Sequence, residues 1–102
     1  MMNAQSLRQM KKDAIIVNTA RGPLMDYDAL YDVMKSGHLR GAALETFAIE
    51  PVPPDLALLQ LPNVTLTPHI AGASVRTVTY AASMAADAVY RYLSGAPLLN
   101  LC

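Results

Sequence analysis

Scarce cysteine, no surplus charge and no long apolar run set the first limits on this sequence of 102 residues. Its single cysteine, Cys102, is the last residue, so no internal disulfide can form and no Cys/His spacing suits a metal site. A chain so poor in thiols fits a reducing compartment, and the cytoplasm is the expected location. Eight basic side chains balance eight acidic ones. The one adjacent cationic pair, Lys11-Lys12, is followed at once by Asp13. That leaves no basic stripe to neutralise phosphates, and nucleic acid is not an expected partner. The longest apolar stretch, Tyr80 to Tyr90, is broken by Asp87 and followed by Arg91, so no membrane span is expected. Residues 1–10 are too polar for a secretory leader. What remains is core-forming material: hydrophobic residues supply 53% and charged residues 16%. The length suits one small domain.

Helical and strand patterns alternate along the chain. Asn3 to Met10 reads as a short helix, with Asn3 as N-cap and Leu7 and Met10 on one face. Ala14 to Val17 is a continuous apolar run, the pattern of a strand buried on both faces. Arg21-Gly22-Pro23 turns the chain after it. Asp26 is the expected N-cap of a second helix, with Asp28 in its first turn and Leu30, Val33 and Met34 on one face. Lys35 and Gly37 mark its end. Gly41 to Leu44 reads as a second buried strand. Pro51, Pro53 and Pro54 exclude regular structure in the next stretch. A short turn is expected over Leu56 to Leu59, and a third strand over Val64 to Thr67.

From Ser74 the period changes. Val75, Val78, Ala82, Ala85, Val89 and Tyr92 recur at spacings of three and four, the stripe of an amphipathic helix capped by Ser74 and ended by Gly95 and Pro97. About twenty residues give a helix of roughly 30 Å, whose Ala-rich face suggests close packing. The apolar tail, Pro97 to Cys102, is expected to dock on a partner surface.

Strands alternating with helices specify an α/β fold with a parallel, doubly wound sheet. The Ala14–Val17 strand is too apolar for a solvated edge, so the chain reads as part of something larger. Chemistry in such sheets sits in the loops beyond the carboxyl ends of the strands. Arg21 stands just past the first strand, Glu50 in the excursion after the second, and His69 just past the third. The three are expected to converge on one edge. His38, beside the cap at Gly37, reads as a turn residue. The methionines, Met34 and Met84 among them, read as core fillers, and the tyrosines as packing or interface residues.

At Asn18-Thr19-Ala20-Arg21-Gly22, Gly41-Ala42-Ala43-Leu44, Glu50-Pro51 and Thr67-Pro68-His69-Ile70 the sequence resembles the D-isomer-specific 2-hydroxyacid dehydrogenases. The resemblance covers nearly the whole chain. It implies the second half of a Rossmann-like nucleotide-binding domain over residues 1–73. Over 74–102 it implies a long inter-domain helix and a tail returning to a substrate domain. No G-x-G-x-x-G run is present, Gly72-Ala73-Ser74 included, so the phosphate-binding turn is expected upstream of Met1, in a longer protein. The family further implies NAD or NADP as cofactor, a small 2-oxo or 2-hydroxy acid as substrate, and a homodimer.

By the same resemblance Arg21 would grip the substrate carboxylate, since a planar guanidinium matches a carboxylate bidentately. His69 would be the general acid in carbonyl reduction and the base in the reverse direction. An imidazole ordinarily titrates at about 6.5, which suits proton transfer near neutrality. Glu50 would hydrogen-bond that imidazole and orient it. Thr19, Ala20, Arg21, Glu45, His69 and Gly72 would contact the cofactor, Ala20 and Gly72 through backbone groups. Glu45 stands where the family usually carries an aspartate against the nicotinamide carboxamide, and Pro23 where a second glycine is common. The competing expectation is an inactive domain that self-associates through its sheet edge and long helix.

Overall fold

Asn3 opens the first helix, α1 (Ala4–Arg8), in a computed structural model that describes residues 1–99. Its side-chain oxygen accepts from the Ser6 N–H at 3.0 Å, while the Asn3 N–H donates to Ser6 Oγ at 2.8 Å. Two helix-end donors are thereby satisfied reciprocally. The second helix, α2 (Tyr27–Lys35), starts where Asp26 accepts from the Ala29 N–H at 3.0 Å. It ends where Gly37 adopts a left-handed φ of 71°, a conformation that costs glycine nothing. Leu30, Val33 and Met34 are buried on one face, as their spacing requires.

Three strands, β1 (Ile15–Asn18), β2 (Gly41–Leu44) and β3 (Val64–Leu66), form a parallel sheet in the order β1-β2-β3. Asn18 is opposite Leu44, and Leu44 opposite Leu66. This register brings the three carboxyl ends to one edge. Short 3₁₀ turns occupy Gly22–Leu24 and Ala57–Gln60, the second at the turn expected before the third strand. Leu7, Ile16, Leu30, Met34, Ala42 and Leu44 belong to a single core. The result is the parallel α/β sheet that the alternating pattern specifies and the Rossmann-like arrangement that the resemblance implies.

One expectation needs correction. Ile16 and Asn18 are buried, but Ile15 and Val17 are 52% and 63% exposed. Side chains alternate across a strand, and α1 and α2 share a core with Ile16 alone of these three isoleucine and valine positions. The apolar run is therefore buried on one face only, and the strand starts at Ile15 rather than Ala14.

The chain divides into two compact units, 1–70 and the part from Ala71 onward. The second is built on α3 (Val75–Ser94), capped by Ser74 Oγ, which accepts from the Thr77 N–H at 3.1 Å. Gly95 ends it at φ 70°, and the Ala96 N–H donates back to the Arg91 carbonyl at 2.9 Å. Arg91 Nε donates to Asp87 Oδ2 at 2.6 Å, one helical turn away. The apolar stripe forms at the expected positions, yet none of α3's residues is buried. Residues 100–102, with Cys102 and the end of the apolar tail expected to dock on a partner, lie outside the described residues.

Candidate active site

The turn after β1 is shaped by one buried side chain. Asn18 Nδ2 donates to the Arg21 carbonyl at 3.2 Å, and its Oδ1 accepts from the Ala20 N–H at 3.1 Å. An asparagine bonding its own backbone two residues on is a self-made turn. It leaves Thr19, Ala20 and Arg21 exposed at the carboxyl edge of the sheet. Arg21 Nη1 donates to the Ala20 carbonyl at 2.6 Å. The next residue, Gly22, is buried, and a Cβ built on it would overlap the Phe47 carbonyl group and the Ala48 nitrogen. Only glycine fits against that peptide.

The loop after β2 runs along the same peptide to Glu50. The Phe47 N–H donates to Glu50 Oε1 at 2.8 Å, and Glu50 Oε2 lies 3.1 Å from His69 Nδ1. Both side chains are about two-fifths exposed, His69 at 41% and Glu50 at 39%. The Phe47 N–H, foremost, holds the Glu50 carboxyl below its usual range. The hydrogen bond from His69 acts in the same direction; desolvation opposes them, and the positive charges of His69 and Arg21 add smaller lowering effects. With Glu50 ionised, Nδ1 of His69 is the donor, which leaves Nε2 as the nitrogen that can exchange a proton with a substrate. Beside the pair opens a cavity of about 410 Å³, walled by Phe47, Val52, Leu59 and Leu66. Phe47 also meets Tyr27, ring centroids 6.5 Å apart. The Tyr27 hydroxyl donates to the Thr46 carbonyl at 3.2 Å. Burial raises the Tyr27 pKa; the Ala48 backbone opposes this and the charge of Glu50 adds to it.

Arg21, Glu50 and His69 thus all stand past the carboxyl ends of parallel strands within the first unit. Glu50 and His69 are in direct contact, and the Arg21 charge is felt at Glu50. Glu45 is buried, its N–H donating to the Asn18 carbonyl at 3.0 Å as the ladder continues past β2. Gly72 belongs to the second unit, where a Cβ built on it would meet nothing within 4 Å. His38 holds a turn: its Nε2 lies 3.0 Å from the Met10 carbonyl oxygen, and its own carbonyl accepts from the Asp13 N–H at 2.9 Å. Among the described residues no three His, Cys, Asp or Glu side chains are grouped to hold a metal. No helix among them is long and apolar enough to cross a membrane.

Sequence reasoning missed three contributors: the Asn18 side chain, the Gly22 seat and the Phe47 N–H. The first two had a signal, a polar residue ending an apolar strand and a glycine directly after the exposed arginine. A backbone donor has none.

A parallel sheet with a guanidinium and a carboxylate–imidazole pair past its carboxyl ends defines the class, an α/β domain with ionisable side chains gathered at one sheet edge. The family described as "D-isomer specific 2-hydroxyacid dehydrogenase, NAD binding domain" matches residues 1–71. The chain belongs to that family. A glyoxylate reductase of Korarchaeum cryptofilum is 45% identical over 95 residues, which are 93% of this chain and 29% of that protein. A D-isomer specific 2-hydroxyacid dehydrogenase from Xanthobacter autotrophicus Py2, solved in complex with NADPH and MES, superposes with a TM-score of 0.74 at 38% identity. That match covers 97% of this chain and 40% of the solved one. An NAD-dependent formate dehydrogenase from Staphylococcus aureus, solved with NAD, superposes at 0.70 with 28% identity, covering 97% of this chain and 31% of that one. The chain spans less than a third of the length of the curated relatives it matches.

Proposed function

We propose that this chain carries the catalytic side chains of an NAD(P)-dependent dehydrogenase that interconverts small 2-oxo acids and D-2-hydroxy acids. The observation that carries the reading is the Glu50–His69 contact of 3.1 Å at the sheet edge that also bears Arg21. Arg21, exposed past the end of β1, binds the substrate carboxylate through paired N–H groups. His69, held through Nδ1 by Glu50, presents Nε2 to the substrate carbonyl oxygen. In reduction the imidazolium gives its proton to that oxygen as the carbonyl carbon gains hydride, and in oxidation the neutral imidazole takes the hydroxyl proton back. The reduced nicotinamide, when bound, supplies the hydride. Thr19, Ala20, Arg21, Glu45 and His69, all within the first unit, are the residues that would meet the reacting nicotinamide end of a dinucleotide. They form no cradle for its diphosphate.

The wider reading goes with this. Residues 1–73 are the closing half of the cofactor domain, and 74–102 lead back to a substrate domain of a longer, cytoplasmic, homodimeric protein. The test is an assay of the longer protein containing this chain, with NADH and NADPH against glyoxylate, hydroxypyruvate and bulkier 2-oxo acids. Turnover with either cofactor supports the reading. A folded protein that binds a dinucleotide yet reduces none of these acids would sink it. Exposed Ile15 and Val17 favour a second reading of the 102 residues taken alone: an inactive domain that self-associates. Sedimentation over a range of concentrations distinguishes the two states of the chain.

A further inference from the structure

Arg21 and the Glu50–His69 pair lie on different loops, and their joint action on one small substrate needs a fixed spacing. Beside the Glu45–Asn18 backbone hydrogen bond, the structure seats one of those loops directly on the other at Gly22. Gly22 is buried, and no side chain fits between its Cα and the Phe47–Ala48 peptide. On the Arg21 side, Asn18 stiffens the turn by bonding both the Ala20 N–H and the Arg21 carbonyl. A 3₁₀ turn, Gly22–Leu24, follows immediately, with the Met25 N–H donating to the Gly22 carbonyl at 3.0 Å. On the other side, the residue Gly22 touches is the one whose N–H holds Glu50 Oε1 at 2.8 Å.

We propose that Gly22 is a positioning residue: its missing side chain seats the Arg21 turn on the Phe47–Ala48 peptide and so fixes the guanidinium relative to the Glu50–His69 pair. Its functional meaning rests on the dehydrogenase reading, but the coupling itself is a property of this chain. Adding one methyl group must push the two loops apart, because the atoms it meets are backbone and cannot swing aside. The Phe47 N–H then leaves Glu50, and the carboxylate loses its nearest stabilising donor.

The test is a carboxyl-carbon NMR titration of Glu50 in the chain, with Gly22→Ala compared against Gly41→Ala. At Gly41 an added Cβ meets the Asn63 carbonyl oxygen at 3.5 Å and Ile15 Cγ1 at 3.8 Å, ordinary contacts. The expected result is an upward shift of the Glu50 midpoint in Gly22→Ala, with faster exchange of the Phe47 amide, and neither change in Gly41→Ala. A Gly22→Ala chain that folds and keeps both at their wild-type values overturns the proposal. If Gly22→Ala is too unstable to titrate, the wild-type chain decides. Protonating Glu50 should move the Gly22 and Phe47 amide resonances with one midpoint, and a Gly22 resonance that ignores the titration overturns the proposal. These readouts do not depend on turnover. Loss of the coupling therefore defeats this inference alone, and a coupled but inactive full-length protein defeats the dehydrogenase reading alone.

Discussion

A carboxylate that accepts from a peptide N–H and an imidazole together binds its proton less readily than a solvated one. For Glu50 the shift is downward, so between its lowered folded value and the usual 4.5 the unfolded chain binds more protons than the folded one. The contribution is fully present above the usual value and is lost as pH falls through the folded one. Denaturant titrations of wild-type and Glu50→Gln chains should therefore show a stability gap above that window that narrows at lower pH. A gap of constant size would mean that the carboxylate charge is not what the Phe47 N–H and His69 recognise. On the proposed dehydrogenase reading, His69→Gln should lower kcat by roughly 100- to 10,000-fold, the usual contribution of a general acid. Arg21→Lys keeps the charge but loses the fork, at a cost of about 1.5–3 kcal/mol, roughly 10- to 150-fold in kcat/KM. Equal activity of the lysine variant would remove Arg21 from the substrate.

The elements that hold these residues depend on caps and one core. Asp26→Ala removes the acceptor of the Ala29 N–H and should destabilise the chain by about 1 kcal/mol in a denaturant titration. Leu30, fully buried in the core, should cost roughly 2–5 kcal/mol on truncation to alanine. Both positions were legible from sequence because their signals are local: a capping residue before an i, i+3, i+4 face, and a glycine where φ turns positive. The strands were legible to within a residue for the same reason, since Lys11-Lys12-Asp13 and Arg21-Gly22-Pro23 bracket the apolar run. The placement of Arg21, Glu50 and His69 at one edge followed from parallel connectivity alone. What escaped was whatever depends on two distant segments touching. The exposure of Ile15 and Val17 is set by what covers the sheet, which a run of apolar letters does not record. The seat of Gly22 on Phe47 spans 25 positions of sequence and has no periodicity to reveal it.

At the scale of the molecule, two apolar surfaces stand exposed among the described residues. Among the described residues β1 pairs with β2 alone in the order β1-β2-β3, and its Ile15 and Val17 are exposed. A strand edge with unpaired backbone groups and β-branched apolar side chains is a template for another strand. The α3 stripe is a separate candidate, since Val75, Val78, Val89 and Tyr92 are each more than half exposed. The two surfaces are separable by single charges. Val17→Lys should leave the chain's stability within about 0.5 kcal/mol, because the side chain it replaces is exposed. It should also shift sedimentation of the isolated chain toward monomer if the sheet edge is the contact. Val78→Lys should do the same only if the helix stripe is the contact. Association unchanged by either substitution would mean that neither surface holds copies together.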